Sequence, residues 1–317
     1  MYRIGIDLGG TNIACGVIDE NYNIVGRSNI KTNRSVNSYE IINDMVIAAK
    51  LCVENAGIKI DDVSYCGIGI PGWVNKSSGF IVHTTNLDLS EVPLVEIMQD
   101  KLGVECGIEN DANAAAFGEY IAGTGKGTKV FIAITLGTGV GSGVIIDGKI
   151  LSGVNSSAGE FGHTVIKFDG EPCPCGRRGC YEQYASVSAL IRQTKAAMNY
   201  APESLMWSMC NNDINAVSGR TAFDALRADD AVAKQVVNQY IEYIVVGITD
   251  IINIFQPDVI CIGGGISKEG KYLIDPIQEG VKKYRFSGNC DKQTKILAAV
   301  LGNDAGIIGA AFADGIY

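Results

Sequence analysis

The chain has 317 residues, 47% of them hydrophobic and 19% charged, with a formal net charge of −9 at pH 7. That length holds two domains, each with its own core, and the composition excludes a disordered chain. The negative charge, with no basic stripe, excludes nucleic acid and anionic membranes as partners, but an anionic ligand held by backbone N–H groups stays open.

Met1-Tyr2-Arg3-Ile4 runs directly into a strand pattern, so no leader is expected. The first unit is an apolar strand ending in Asp7-Leu8, a Gly9-Gly10-Thr11 turn, and a second strand from Ala14 to Ile18. Glycines there let the backbone approach a ligand closely, and threonine adds a hydroxyl donor. The same order returns at Ile132 to Leu136, Gly137-Thr138-Gly139, and Gly143 to Ile146. Each copy then reaches another turn, Glu20-Asn21 or Asp147-Gly148, and a third strand-like run. Either copy alone reads as an ordinary hairpin turn; the repetition favours two hairpins that grip a polyphosphate. The repeats begin about 130 residues apart, which places a domain change near position 118. The expected domains are 1–117 plus 300–317, and 118–299.

Between the repeats, Gly107-Ile108-Glu109-Asn110-Asp111 precedes a good helix former, Ala112 to Glu119. Asp111 reads either as the N-cap of that helix or as the base that takes a proton from a substrate hydroxyl. The helix terminus would keep it ionised, which phosphoryl transfer tolerates. Groups suited to forking onto sugar hydroxyls are Gly72, Asn86, Asn110 with Asp111, Glu160 with His163, and Glu182. Asn86 reads equally as a turn residue after Thr84-Thr85, and Glu182 as a first-turn helix acid.

His163 is one of two histidines, and Cys173, Cys175 and Cys180 follow it within a short span. One histidine and three thiols make the donor set of a closed tetrahedral Zn²⁺ site. Such a site either staples a loop or also shapes a binding pocket, holding His163 while its other ring nitrogen faces a ligand. Cys15, Cys66 and Cys261 lie in apolar strand-like runs and read as buried thiols. With no leader, the reducing cytoplasm is the expected compartment. Asn199 to Arg220 carries a Met206-Trp207-Ser208-Met209 patch that reads as a packing surface, a subunit contact or a lid. A long helix follows, with apolar positions from Val236 to Phe255, and Pro257 stops it. The stretch is broken by Asp250 and Asn253 and is too short to span a bilayer. Asp258 to Ile262 is a buried strand, with Gly263-Gly264-Gly265 at its carboxyl end, where open α/β sheets bind ligands. This is not a GxGxxG fingerprint, so a dinucleotide-binding dehydrogenase is disfavoured.

With these pieces the chain resembles the ROK family (repressor, open reading frame, kinase) of sugar kinases, its bacterial glucokinase branch above all. The matching pieces are Asp7 to Thr11, Gly69 to Gly72, Asn86-Leu87, Glu109 to Asn113, Leu136 to Gly139, Glu160 to His163, Cys173 to Glu182, Gly263 to Gly265, and Leu301 to Ala310. The resemblance implies an actin-like (ribonuclease H-like) fold of two α/β domains flanking a cleft, as a homodimer or tetramer. It implies ATP with Mg²⁺, and a hexose as acceptor, most of all glucose at its 6-hydroxyl. It further implies Asp111 as the base, zinc on His163, Cys173, Cys175 and Cys180, and Glu160, His163 and Glu182 on the sugar. The nucleotide is then expected at Asp7, Gly9, Gly10, Thr11, Asn12, Gly137, Thr138, Gly139, Gly264 and Gly265. One departure is Asn12, where many members carry lysine, so a cation near the phosphates is lost. The alternatives are another acceptor (N-acylmannosamine, fructose or allose) or a non-catalytic sugar-sensing regulator. The family's repressors carry an N-terminal helix-turn-helix, for which a strand starting at Ile4 leaves no room.

Overall fold

The computed structural model describes residues 1–84 and 87–314. In chain order its elements are β1 (Tyr2–Leu8), β2 (Asn12–Ile18), β3 (Ile24–Lys31), α1 (Ser38–Asn55), β4 (Val63–Ile70), β5 (Gly72–Asn75), β6 (Phe80–Thr84), β7 (Ser90–Val92), α2 (Leu94–Leu102), β8 (Cys106–Asn110) and α3 (Asp111–Ala122). They continue as β9 (Val130–Leu136), β10 (Val140–Ile146), β11 (Lys149–Ile150), α4 (Glu182–Ala185), α5 (Val187–Met198), α6 (Met206–Met209), α7 (Thr221–Arg227) and α8 (Ala231–Phe255). The last are β12 (Val259–Gly263), α9 (Lys271–Tyr284), β13 (Lys295–Ala298) and α10 (Asp304–Phe312).

Two five-stranded sheets repeat one strand order, β3-β2-β1-β4-β8 and β11-β10-β9-β12-β13. In the first, β1, β2 and β3 are antiparallel, while β4 and β8 run parallel to β1. In the second, β10 and β11 are antiparallel and β12 and β13 parallel. The repeat visible in the sequence is therefore a repeat of topology, extending to strands outside the repeated segments.

By packing, the chain divides into two units. The first holds Met1–Ala133, Gly143–Gly159 and the described residues from Val300 onward; the second holds Ile134–Ser142 and Glu160–Ala299. The buried Glu119 carboxylate accepts from Thr124 N and from Val300 and Leu301 N, which ties the end of α3 to the returning tail.

In the first unit, successive β1 residues face opposite sides of the sheet. Ile4, Ile6 and Leu8 join a core with Ile41, Ile42, Met45 and Cys52 of α1. That helix starts where the Asn37 side chain accepts from Glu40 N. The other face receives α10. A Cβ on Gly5 or Gly67 would lie 1.8 or 1.7 Å from the carbonyl oxygens of Ile307 and Ala310, so helix backbone rests directly on the strands. In the second unit, α8 buries Val236, Val237, Tyr240, Ile241, Ile244, Val245, Ile248, Ile251 and Ile252. It ends at Gln256 in the left-handed conformation (φ 44°) just before Pro257. Met206 is buried and the Trp207 indole donates to Ala201 O, so the patch at 206–209 packs inward through these two residues. Among the described residues, no helix is long and apolar enough to cross a membrane.

Candidate active site and metal centre

In the first unit, the β1–β2 turn is closed by Gly9 N–H donating to Asn12 O at 2.9 Å. Thr32, just past β3, straps the same turn: its N–H donates to Thr11 O at 2.9 Å and its hydroxyl to Gly9 O at 2.8 Å. Beside the turn lies a cavity of about 600 Å³ lined by Asp7, Gly9, Thr11, Asn12, Arg27 and Asp304 among others. Arg27 and Asp304 form a two-pronged ion pair at 2.6 and 2.7 Å. Burial, and then the charge of Asp111, push the Asp7 carboxyl up to about 6. A Cβ on Gly306 would lie 2.9 Å from Asp7 Oδ2, so the first turn of α10 leaves room for that carboxylate.

Asp111 is not the N-cap. Asn110 holds that position: its side-chain oxygen accepts from Ala112 N at 3.0 Å and Asn113 N at 3.1 Å. Asn and Asp cap helices about equally well, so two adjacent candidates were indistinguishable from residue type. Asp111 is the first helical residue and accepts from Ala112 N at 2.8 Å. The Asn110 amide also donates to Gly72 O at 3.0 Å, which brings two of the expected sugar residues together. Asn86 lies outside the described residues.

One group at this corner was not anticipated. Lys76, in the β5–β6 turn, forms a buried ion pair with Glu109; their side chains are 7% and 2% exposed. Glu109 Oε1 accepts from Asn110 N at 2.9 Å and from Asn113 Nδ2 at 3.1 Å. Lys76 Nζ also lies 3.4 Å from Ser152 Oγ. The network fixes the strand-to-helix corner that presents Asp111.

In the second unit, Gly137 N–H donates to Gly139 O at 3.0 Å, and Val187 N–H, at the start of α5, to Gly137 O at 2.8 Å. Thr138 is exposed at the tip. Glu182 opens α4 and also turns one oxygen onto Val140 N at 2.9 Å. A Cβ on Gly139 would sit 2.3 Å from that oxygen. Gly264 has φ 87°, and its Cβ would lie 2.1 Å from Leu136 O, so the glycine run packs against the end of β9. Gly265 faces open space. Glu160 lies within electrostatic reach of His163 and Glu182. The Glu160 residue is exposed as a whole. Partial desolvation nonetheless raises its carboxyl above the usual range, with His163 opposing and Glu182 adding to the rise.

The ligand atoms of His163, Cys173, Cys175 and Cys180 all lie within 4.8 Å of one another. Cys173 Sγ is 3.7 Å from His163 Nδ1, and Cys175 Sγ is 3.6 Å from Cys180 Sγ. Tetrahedral Zn²⁺ with ordinary Zn–S and Zn–N bonds sets such separations at about 3.6–3.8 Å, so the donor set and spacing fit the metal. All ten cysteines are free thiols. The Arg177 backbone N–H lowers the Cys175 thiol. His163 turns Nδ1 toward the sulfurs, which leaves Nε2 on the far edge of the ring. In the first unit, the Asp7 carboxylate is a hard oxygen donor lining the cavity beside the hairpin.

A family model described as ROK family matches residues 3–313. The chain is 38% identical to a glucokinase of Streptomyces coelicolor over 310 residues, covering 97% of this chain and 96% of that protein. It is 34% identical to a glucokinase of Halalkalibacterium halodurans over 312 residues, 98% of this chain and 94% of that one. The crystal structure of a ROK family glucokinase from Streptomyces griseus, in complex with glucose and AMPPNP, superposes with a TM-score of 0.83 at 35% identity, covering 98% of both chains. The paired mixed sheets are thus the actin-like fold of ROK glucokinase structures. The matched span takes in the hairpins, the Asp111 corner and the cysteine loop, and the chain belongs to the ROK family.

Proposed function

We propose that this chain is an ATP-dependent hexose kinase that phosphorylates glucose at its 6-hydroxyl. The observation that carries the reading is the carboxylate pair at the carboxyl ends of β1 and β8. Asp111 begins α3 with its Cα packed over Gly69, the β4 residue paired with Asp7 (a Cβ on Gly69 would lie 3.7 Å from it), and its charge helps raise the Asp7 carboxyl. The full-length likeness to a glucokinase bound to glucose and AMPPNP supplies the chemistry. Asp111 orients the 6-hydroxyl and takes its proton as the new oxygen–phosphorus bond forms. Asn110, Gly72, Asn86, Glu160, His163 and Glu182 bind the sugar hydroxyls. Gly9, Gly10, Thr11 and Asn12, with Gly137, Thr138 and Gly139, hold the phosphates through backbone and hydroxyl donors. Gly264 and Gly265 offer bare backbone to the nucleoside.

Asp7 is the residue that would hold Mg²⁺. Entering with ATP, that ion would supply neutralising positive charge to the phosphates. His163, Cys173, Cys175 and Cys180 would hold one structural Zn²⁺, which fixes the ring so that Nε2 serves the sugar. A reducing, cytoplasmic setting, in which the thiols stay free to hold the metal, goes with this reading. A homodimer or tetramer completes the proposal.

The test is sugar-dependent ADP release by the purified chain with ATP and Mg²⁺, across glucose, N-acetylmannosamine, fructose and allose. Glucose should give the highest kcat/KM, with little release when sugar is absent. Preference for another sugar would reassign the acceptor. Release that ignores sugar altogether would overturn the kinase reading.

A further inference from the structure

The turn Gly9-Gly10-Thr11-Asn12 has no cationic residue of its own, and the structure brings one to it from elsewhere in the chain. β2 pairs with β3 so that Asn12 stands opposite Lys31. Past Lys31, Thr32 straps the turn by its two bonds. Asn33 then accepts from Ser35 N at 3.0 Å, closing a tight bend. That bend carries Arg34 back onto the hairpin, where its Nε donates to Gly10 O. Its Nη2 occupies the space of a side chain at residue 10: a Cβ on Gly10 would lie 2.6 Å from it. Gly10 thus serves a second purpose besides backbone access, since it seats the guanidinium flat on the turn.

The charge there is not neutralised. Among the described residues, Arg34 forms no ion pair, whereas Arg27, lining the neighbouring cavity, is closed onto Asp304. An arginine held by its Nε keeps two terminal nitrogens in a fixed fork, the geometry that matches phosphate oxygens. We propose that Arg34 is a donor-binding residue: its guanidinium holds the terminal phosphates of the nucleotide and supplies the positive charge that the turn's own residues lack. The inference rests on the kinase reading for the identity of the donor.

The test uses the full chain as wild type, Arg34→Ala, Arg34→Lys, and Arg34→Ala with Asn12→Lys. ATP binding is read by calorimetry without sugar, and KM for ATP and for glucose by ADP release. A charge-assisted phosphate contact predicts an ATP Kd and KM raised about tenfold or more in Arg34→Ala. The glucose KM should stay within about twofold and the melting temperature should hold. Arg34→Lys should fall between, because a point charge cannot fork. Asn12→Lys in the Arg34→Ala background should recover most of the ATP affinity, which a merely bracing arginine would not allow. Unchanged ATP binding in Arg34→Ala overturns the proposal. So does a parallel loss of ATP affinity, glucose affinity and thermal stability that Asn12→Lys fails to repair. Wild-type protein that binds ATP through Arg34 yet phosphorylates no sugar would sink the kinase reading and leave this one standing.

Discussion

Asp111→Asn separates the two roles that one aspartate at a helix start can play. Because Asn110 supplies the cap, with bonds of 3.0 and 3.1 Å to Ala112 N and Asn113 N, the substitution leaves the helix terminus satisfied. What is lost is the interaction of a charge with the helix N-terminus, about 0.3–1 kcal/mol at a partly exposed site. A compensating gain comes from Asp7, whose carboxyl is pushed up to about 6 partly by the Asp111 charge. The melting temperature should therefore move by no more than about 3 °C. Turnover should fall roughly 10²- to 10⁴-fold, the usual contribution of a positioned base, while glucose binding persists. Thermal denaturation and sugar-dependent ADP release on the same preparation measure both. Turnover near wild type would remove Asp111 from the chemistry. A drop of many degrees with a proportionate loss of activity would mean that its part is structural.

Asp7 predicts an unusual pH dependence. Its carboxyl holds a proton up to about pH 6 in the folded chain, against an ordinary value of 3.8. The folded state therefore binds more protons between these values, and the contribution to stability is full below about pH 4 and lost as pH rises through 6. Asp7→Asn should then stabilise the ligand-free protein at pH 7.5, by at most about 3 kcal/mol, while losing kinase activity; denaturant titration at pH 4.5 and 7.5 should show most of the gain only at the higher pH. Lys76→Met leaves the Glu109 carboxylate buried without its ammonium partner. It should cost about 3–5 kcal/mol, with most of that recovered in Lys76→Met/Glu109→Gln; equal stability of single and double variants in urea would refute the pairing. Metal analysis should find about one Zn²⁺ per chain, and Cys175→Ser should lose it together with sugar affinity, because His163 serves both. Normal glucose binding by zinc-free protein would break that link.

Features local in sequence were the ones legible before the fold was known. The cysteine loop is one: His163 and the three cysteines span few residues, and their donor atoms meet. The helical period from Val236 to Ile252 is another, because a long amphipathic stripe leaves few alternatives. The repeated strand, turn and strand exposed the two sheets because each hairpin joins neighbours in the chain. Contacts between distant segments left no such mark. Lys76 sits in a polar turn, Asn75-Lys76-Ser77-Ser78, that reads as solvated, and only pairing with a strand-end glutamate 33 positions away buries it. Arg34 lies in a loop whose fold back onto Gly10 depends on an Asx bend and a strand register. The close seat of α10 on Gly5 and Gly67 could not be read either, since glycine in a strand marks close approach without naming what approaches.

The central claim is that this chain transfers the γ-phosphoryl group of ATP to the 6-hydroxyl of glucose. Phosphorus NMR of glucose, ATP, Mg²⁺ and purified protein tests it most directly. The account predicts a phosphomonoester signal split by the two protons on carbon 6, growing in step with ADP and absent without glucose. Inorganic phosphate in place of that ester, or an ester at another hydroxyl, would contradict it.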